Sequence, residues 1–236
     1  MRCRVAVEDI EPNRWIAWML DLPGCFSSAR TESDAIARGP ECIATYFSWL
    51  TFHDSSLPMP SARFETQIAE TFRSFPSLEK PDYIVNAFFE DDRRPLAYWD
   101  IETSLRLLEW THRDLLAAVQ GATQEQLHAP LPHEIGGSVA GVLRHVAGAE
   151  NWYLEQLGLA VGREQLPEDP SSMLRIVRAN TRARLADLQG DERVLRGDGG
   201  ELWSGRKVVR RALWHERAHT QHVKRLLMYL GNANIR

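Results

Sequence analysis

The chain has 236 residues, 44% of them hydrophobic and 25% charged, with a formal net charge of −4. That length is enough for one large domain or two modest ones, and the composition is that of an ordinary globular protein. The slight acidic balance argues against a nucleic-acid surface, and no run of about 18 apolar residues is present to span a membrane. The opening residues, MRCRVAVEDIEP, lack the apolar stretch of a secretory signal and read as a strand. The three cysteines, Cys3, Cys25 and Cys42, are odd in number, show no CxxC spacing and all lie in the first fifth of the chain. Reduced thiols in a cytoplasmic protein are expected, not a disulfide scaffold or a thiolate zinc site.

Up to about residue 90 the pattern is short and strand-like. CRVAVEDIE and RWIAWMLDL read as two strands, and Pro23-Gly24 reverses the chain into a third, CFSSAR. Thr31 or Ser33 can cap a helix from Asp34 to about Leu50 with Ile36, Ile43, Phe47 and Leu50 on its apolar side. ARFETQIAETF is expected as a fourth strand and YIVNAFFE as a fifth. The stretch DLPGC, followed six residues later by TESDAIARGPECI, resembles the HicB family of toxin-antitoxin proteins over residues 2–72. That resemblance implies a small sheet-plus-helix domain over 1–90, and no activity.

From about Pro95 the periodicity becomes helical. Four amphipathic stretches are expected, at about 96–120, 138–158, 171–189 and 204–230, bounded by Gly121, Ser138, Gly158, Pro170-Ser171-Ser172, Gly190 and Gly231. The fold class is therefore α+β, with an up-down four-helix bundle over 91–236 following the sheet domain.

The last helix carries the chemistry. Val208, Ala212, His215, His219, His222, Leu226 and Tyr229 follow steps of four and three, a single stripe facing the bundle interior. A buried imidazole without a partner costs on the order of 1–3 kcal/mol, so three in one stripe need a common cause. Residues four apart differ by roughly 40° and about 6 Å along a helix, so two imidazoles can reach one ion. His215 with His219 and His219 with His222 both satisfy this. On the second helix, Val142, His145, Val146 and Ala149 form the inward strip, and His145 can complete a three-histidine site. Ile101, Leu105, Leu108, His112, Leu115 and Val119 form a similar stripe on the first helix, which leaves His112 as a fourth ligand, a partner of a ligand or a core residue. Hydrogen-bonded core histidines are the plain alternative to a metal site.

Two segments, HEIGGSVAGVLRHVAGAENWYLEQL and LWHERAHTQHVKRLL, resemble the DinB/YfiT-like superfamily of four-helix bundles over about residues 93–230. The resemblance implies His145, His215 and His219 as ligands of one divalent ion and leaves His222 outside the set. Zinc or nickel suits such a site best, and copper, iron or manganese is compatible with it. An arginine is frequent in the family where this chain has His112.

The implied activity is a metal-dependent enzyme, transferring a small thiol to an electrophilic substrate, with metal-assisted hydrolysis as the runner-up. A binding or regulatory module with a structural metal is the alternative of a different class. Glu150 and Glu216 are candidates to orient the imidazoles or act as a base, and Arg206 or Arg210 to hold an anionic cosubstrate. The basic run Arg206, Lys207, Arg210 and Arg211 is expected as a solvated face, and Trp152, Trp203 and Trp214 as packing near the cavity. The expected partner is a small molecule such as a low-molecular-weight thiol, with neither nucleic acid nor membrane involved and a homodimer compatible.

Overall fold

A computed structural model of the chain describes residues 2–60 and 64–233. The chain divides into two compact units, 1–94 with 194–206 and 95–193 with 207–236.

The first unit is built on a four-stranded sheet ordered β3-β2-β1-β4. Its strands are β1 (Arg2–Glu11), β2 (Arg14–Met19), β3 (Phe26–Ala29) and β4 (Glu65–Arg73). Neighbours pair antiparallel except β1 and β4, which run parallel. A parallel pair needs a crossover, and α1 (Glu32–Ala37) and α2 (Gly39–His53) supply it. The expected single helix is broken in two at Arg38-Gly39-Pro40. Pro40 lacks the N–H that would continue an α-helix and sits instead in the first turn of α2. Thr31 caps α1, accepting from the Asp34 N–H at 3.1 Å. Cys3, Met19 and Leu22 pack with Ile43 and Tyr46 of α2, while Val5, Val7 and Ala17 pack with Ala35 of α1. The first residues of ARFETQIAETF, 62 and 63, lie outside the described residues.

The expected fifth strand is mostly not one. Only β6 (Ile84–Val85) pairs, with β5 (Phe75–Pro76). The following N–H groups are taken by carboxylates in place of a neighbouring strand: Ala87 donates to Glu8 at 2.7 Å, Asn86 to Glu201 at 2.8 Å and Phe89 to Asp92 at 2.9 Å. Glu8 is fully buried and also accepts from the Trp18 indole at 3.2 Å, so this carboxylate satisfies two buried donors.

Residues 194–206 cluster with this unit, a return of the chain that a division into 1–90 and 91–236 does not contain. The return is held by polar contacts. Glu201 accepts from the Tyr83 hydroxyl at 2.9 Å, Ser77 donates to the Gly199 carbonyl at 2.6 Å, and Ser204 donates to the Asp92 carbonyl at 2.6 Å. A small hairpin, β7 (Leu195–Arg196) with β8 (Leu202–Trp203), shapes the segment. Trp203 is a fully buried side chain that clusters with the sheet unit.

The second unit is helical: α3 (Tyr98–Val119), the short α4 (Gln124–His128), α5 (Val139–Glu155), α6 (Pro170–Asp187) and α7 (Gly205–Ala233). Leu115, Val142, Val146, Leu174, Val177, Val223 and Leu226 share one buried cluster, so α3, α5, α6 and α7 all contribute to a common core. Ser138 and Asp169 cap α5 and α6, accepting from the N–H groups of Gly141 at 3.0 Å and Ser172 at 2.8 Å. On α7 the expected stripe is buried at Val208, Ala212, His215 and Leu226, but Tyr229 is 65% exposed. A second line, Val209, Leu213, Glu216, Thr220 and Val223, is also buried, so α7 enters the core on a broader face than a single stripe.

The entry to α5 depends on two glycines. Gly136 has φ of 71°, and a Cβ added at Gly141 would overlap the Gly136 backbone. Gly141→Ala should therefore lower stability by about 1–3 kcal/mol, the usual cost of forcing a backbone shift in a packed site. Urea denaturation checks this, and a change within about 0.5 kcal/mol, the range of a neutral surface substitution, would contradict it.

Candidate metal centre

α5 presents His145, and α7 presents His215 and His219 one turn apart. His215 is buried and the other two are half-buried. One ring nitrogen of each lies within 4.8 Å of those of the others, and no other His, Cys, Asp or Glu cluster of this kind occurs among the described residues. The Nε2 atoms of His145 and His215 are 3.0 Å apart. Two nitrogens on one tetrahedral ion at 2.0–2.1 Å would stand about 3.3 Å apart, so this pair needs almost no movement to share one. The donor set therefore fits a divalent ion: three neutral imidazoles, borderline in softness, with a coordination position left over.

Burial holds the His145 imidazole below its ordinary range, and the nearby His222 adds to the effect. Both act against protonation and keep the ring in the form a metal needs. His222 is not one of the three. Its Nε2 lies 2.8 Å from Glu134 Oε2 and its Nδ1 3.4 Å from His219 Nδ1.

Beside the histidines lies a buried ionic network centred on Arg178 of α6. One Nη2 donates to both Glu150 and Glu216 at 2.7 Å, and Nη1 donates to the Leu108 carbonyl at 2.8 Å. Glu150 also accepts from the Thr181 hydroxyl at 2.5 Å. Glu216 accepts from the Thr111 hydroxyl and faces His112 Nδ1 at 3.2 Å. His112 is thus a partner of Glu216. Burial, reinforced by the Glu216 charge, pushes the Glu150 carboxyl up against the opposing pull of Arg178. For Glu216 burial acts the same way but is outweighed by Arg178 and His112, so its carboxyl is held down.

Reading the sequence by its histidines missed Arg178, Thr111, Thr181 and Glu134. Arg178 and Thr181 carried a usable signal, because Leu174, Val177, Arg178, Thr181 and Leu185 form an inward stripe with a guanidinium in its middle. Glu134 lies in a connecting turn, where no periodicity marks it.

The basic run at the start of α7 departs from expectation. Lys207 is fully buried and Arg211 is 7% exposed, so neither belongs to a solvated face. The Arg211 guanidinium lies 4.7 Å from the Trp214 ring and 5.8 Å from the Tyr153 ring, contacts that offset part of its desolvation. Both rings flank His215, at centroid distances of 5.6 and 6.1 Å. Arg210 is half-buried on α7. Arg206 donates to the Arg94 carbonyl at 2.9 Å and clusters with the sheet unit. Trp152 stacks edge-on with Tyr153 at 5.7 Å.

No protein-family model matches the chain, and no curated protein matches it either. Among solved structures it is similar to YfiT from Bacillus subtilis, described as a probable metal-dependent hydrolase with an unusual four-helix bundle topology. The TM-score is 0.45 at 21% identity, covering 57% of this chain and 90% of that one, a likeness too low to carry an argument about this chain. No helix among the described residues is long and apolar enough to cross a membrane.

Two outcomes follow from the centre's physical chemistry. Arg178→Ala leaves two buried carboxylates without their counter-charge and should cost about 3–5 kcal/mol in chemical denaturation; a loss below about 1 kcal/mol would contradict the network's role. The second concerns acid. Because the His145 pKa is lowered on folding from an ordinary value of 6.5, its contribution to stability is present above that value and lost as pH falls through the lowered one. Protons compete with the ion in the same direction, so bound metal should fall steeply below about pH 6. Occupancy unchanged down to about pH 4, where carboxylates titrate, would mean that carboxylates hold the ion.

Proposed function

We propose that the helical unit is a DinB/YfiT-like metal-dependent enzyme that holds one divalent ion through His145, His215 and His219 and transfers a small thiol to an electrophilic substrate. The observation that carries this reading is the convergence of three imidazoles from two helices, with a 3.0 Å Nε2 separation suited to a shared ion. A bound divalent ion would supply Lewis-acid chemistry, favouring the anionic form of a thiol or water at neutral pH. The imidazoles orient that chemistry and, being neutral, leave the positive charge undiminished.

Thiol transfer is favoured over hydrolysis by how the carboxylates are used. Hydrolysis gains from a general base beside the nucleophile. Glu150 and Glu216 are already hydrogen-bonded to Arg178, Thr181, Thr111 and His112. A thiol loses its proton far more readily than water and needs no such base. Arg211, held against Tyr153 and Trp214 beside His215, is a stronger candidate than Arg206 or Arg210 to face a carboxylate of the cosubstrate. The reading also includes a HicB-like resemblance for the sheet unit, supported by the DLPGC turn and the order of three strands, two helices and a strand.

The test is to load purified protein with zinc or nickel and screen low-molecular-weight thiols against a generic electrophile, with an activated ester as a separate hydrolysis substrate. His219→Ala, which removes one of the three ligands, should lose most of the bound metal and with it most of the thiol-dependent rate. Equal rates in wild type and variant would overturn the enzyme reading in favour of a binding module. Turnover of the ester alone would replace thiol transfer with hydrolysis.

A further inference from the structure

Glu134 and His222 form a chain with His219 that the three-imidazole reading does not itself use. Glu134 sits in the turn leading into α5, and that turn is closely tied. The Glu134 N–H donates to the Leu131 carbonyl at 2.9 Å, the Gly137 N–H donates to the Glu134 carbonyl at 2.9 Å, and the Leu131 N–H donates to the Gly137 carbonyl at 2.8 Å. The contact of Gly136 with Gly141 then fixes the turn to the first turn of α5. The carboxylate is thereby anchored to the helix that carries His145, while it reaches a histidine on α7.

The hydrogen-bonding inventory determines the protons. An ionised carboxylate can only accept, so the 2.8 Å contact places a proton on His222 Nε2. A neutral imidazole protonated at Nε2 has its lone pair on Nδ1. That atom lies 3.4 Å from His219 Nδ1, so His219 must donate from Nδ1. The remaining nitrogen of His219, Nε2, is left with a lone pair. No other arrangement of a neutral His222 satisfies both contacts.

We propose that Glu134 and His222 are positioning residues forming a relay that sets the tautomer and ring orientation of His219. In the relay, Glu134 accepts from His222 Nε2–H, His222 Nδ1 accepts from His219 Nδ1–H, and His219 Nε2 is presented to the ion. The proposal rests on the three-imidazole reading and gives His222 a role distinct from that of a ligand. Partners of this kind fix a ligand's orientation and raise its basicity, and their loss costs metal affinity without emptying the site.

Two measurements on the full-length protein test it. In metal-free wild type, nitrogen-15 NMR of the imidazoles above their titration range should show His219 as the Nδ1–H tautomer and His222 as the Nε2–H tautomer. The Nε2–H form at His219 would overturn the relay. Zinc dissociation constants, from competition with a chromophoric chelator, should rise about 10–100-fold for both Glu134→Ala and His222→Ala. Because the two residues act in series, the double variant should bind no more weakly than His222→Ala alone, and Glu134→Gln, which can still accept, should lose less than Glu134→Ala. Losses that multiply in the double variant, or unchanged affinity in both single variants, would overturn the proposal. A wild type that binds no zinc would sink the proposed function, while the imidazole signals of the same sample still decide the relay.

Discussion

One buried guanidinium sets the arrangement of the helical unit. Arg178 comes from α6 and bonds Glu150 of α5, Glu216 of α7 and the Leu108 carbonyl of α3, so all four long helices meet at a single side chain. Apolar packing is tolerant of small slides between helices, because one methyl group serves nearly as well as its neighbour. A planar cation with 2.7 Å bonds to two carboxylates is not tolerant. A slip of one residue on α5 or α7 would leave a charge buried and unpaired, which is among the most costly defects a core can contain.

The histidine site inherits that register. Glu216 follows His215 directly on α7, and Glu150 lies five residues beyond His145 on α5, so fixing the carboxylates fixes how the two ligand helices face each other. Thr111 and His112 add donors to Glu216, and Thr181 adds one to Glu150, which spreads the cost of desolvation over hydrogen bonds. The ionic network and the candidate metal site are two sides of one arrangement: the first fixes the helices with paired ionisable groups, and the second gathers three imidazoles.

The sequence made the helices legible because their signals are local. Ser138, the Pro170 turn and the glycines mark the ends, and the 3.6-residue period marks the faces. The three histidines were legible because imidazoles in an apolar stripe are conspicuous. What stayed hidden depends on contacts distant along the chain. YIVNAFFE has the composition of a strand, yet carboxylates from Glu8 and Glu201 take the N–H groups that a sheet neighbour would need. Lys207 and Arg211 look like surface charges because nothing in their own helix turn announces that they are buried. Residues 194–206 return to the sheet unit through single hydrogen bonds that no periodicity encodes, and Trp203 goes with them. Glu134 was hidden for the same reason, being a turn residue whose partner lies on another helix.

The central claim is that His145, His215 and His219 together bind one divalent ion. X-ray absorption at the metal edge of zinc-loaded wild-type protein addresses it most directly. The account predicts one ion per chain with three imidazole nitrogens at about 2.0–2.1 Å and a light atom completing the shell. A shell containing sulfur, a shell of carboxylate oxygens without imidazole scattering, or no stoichiometric ion at all would contradict it.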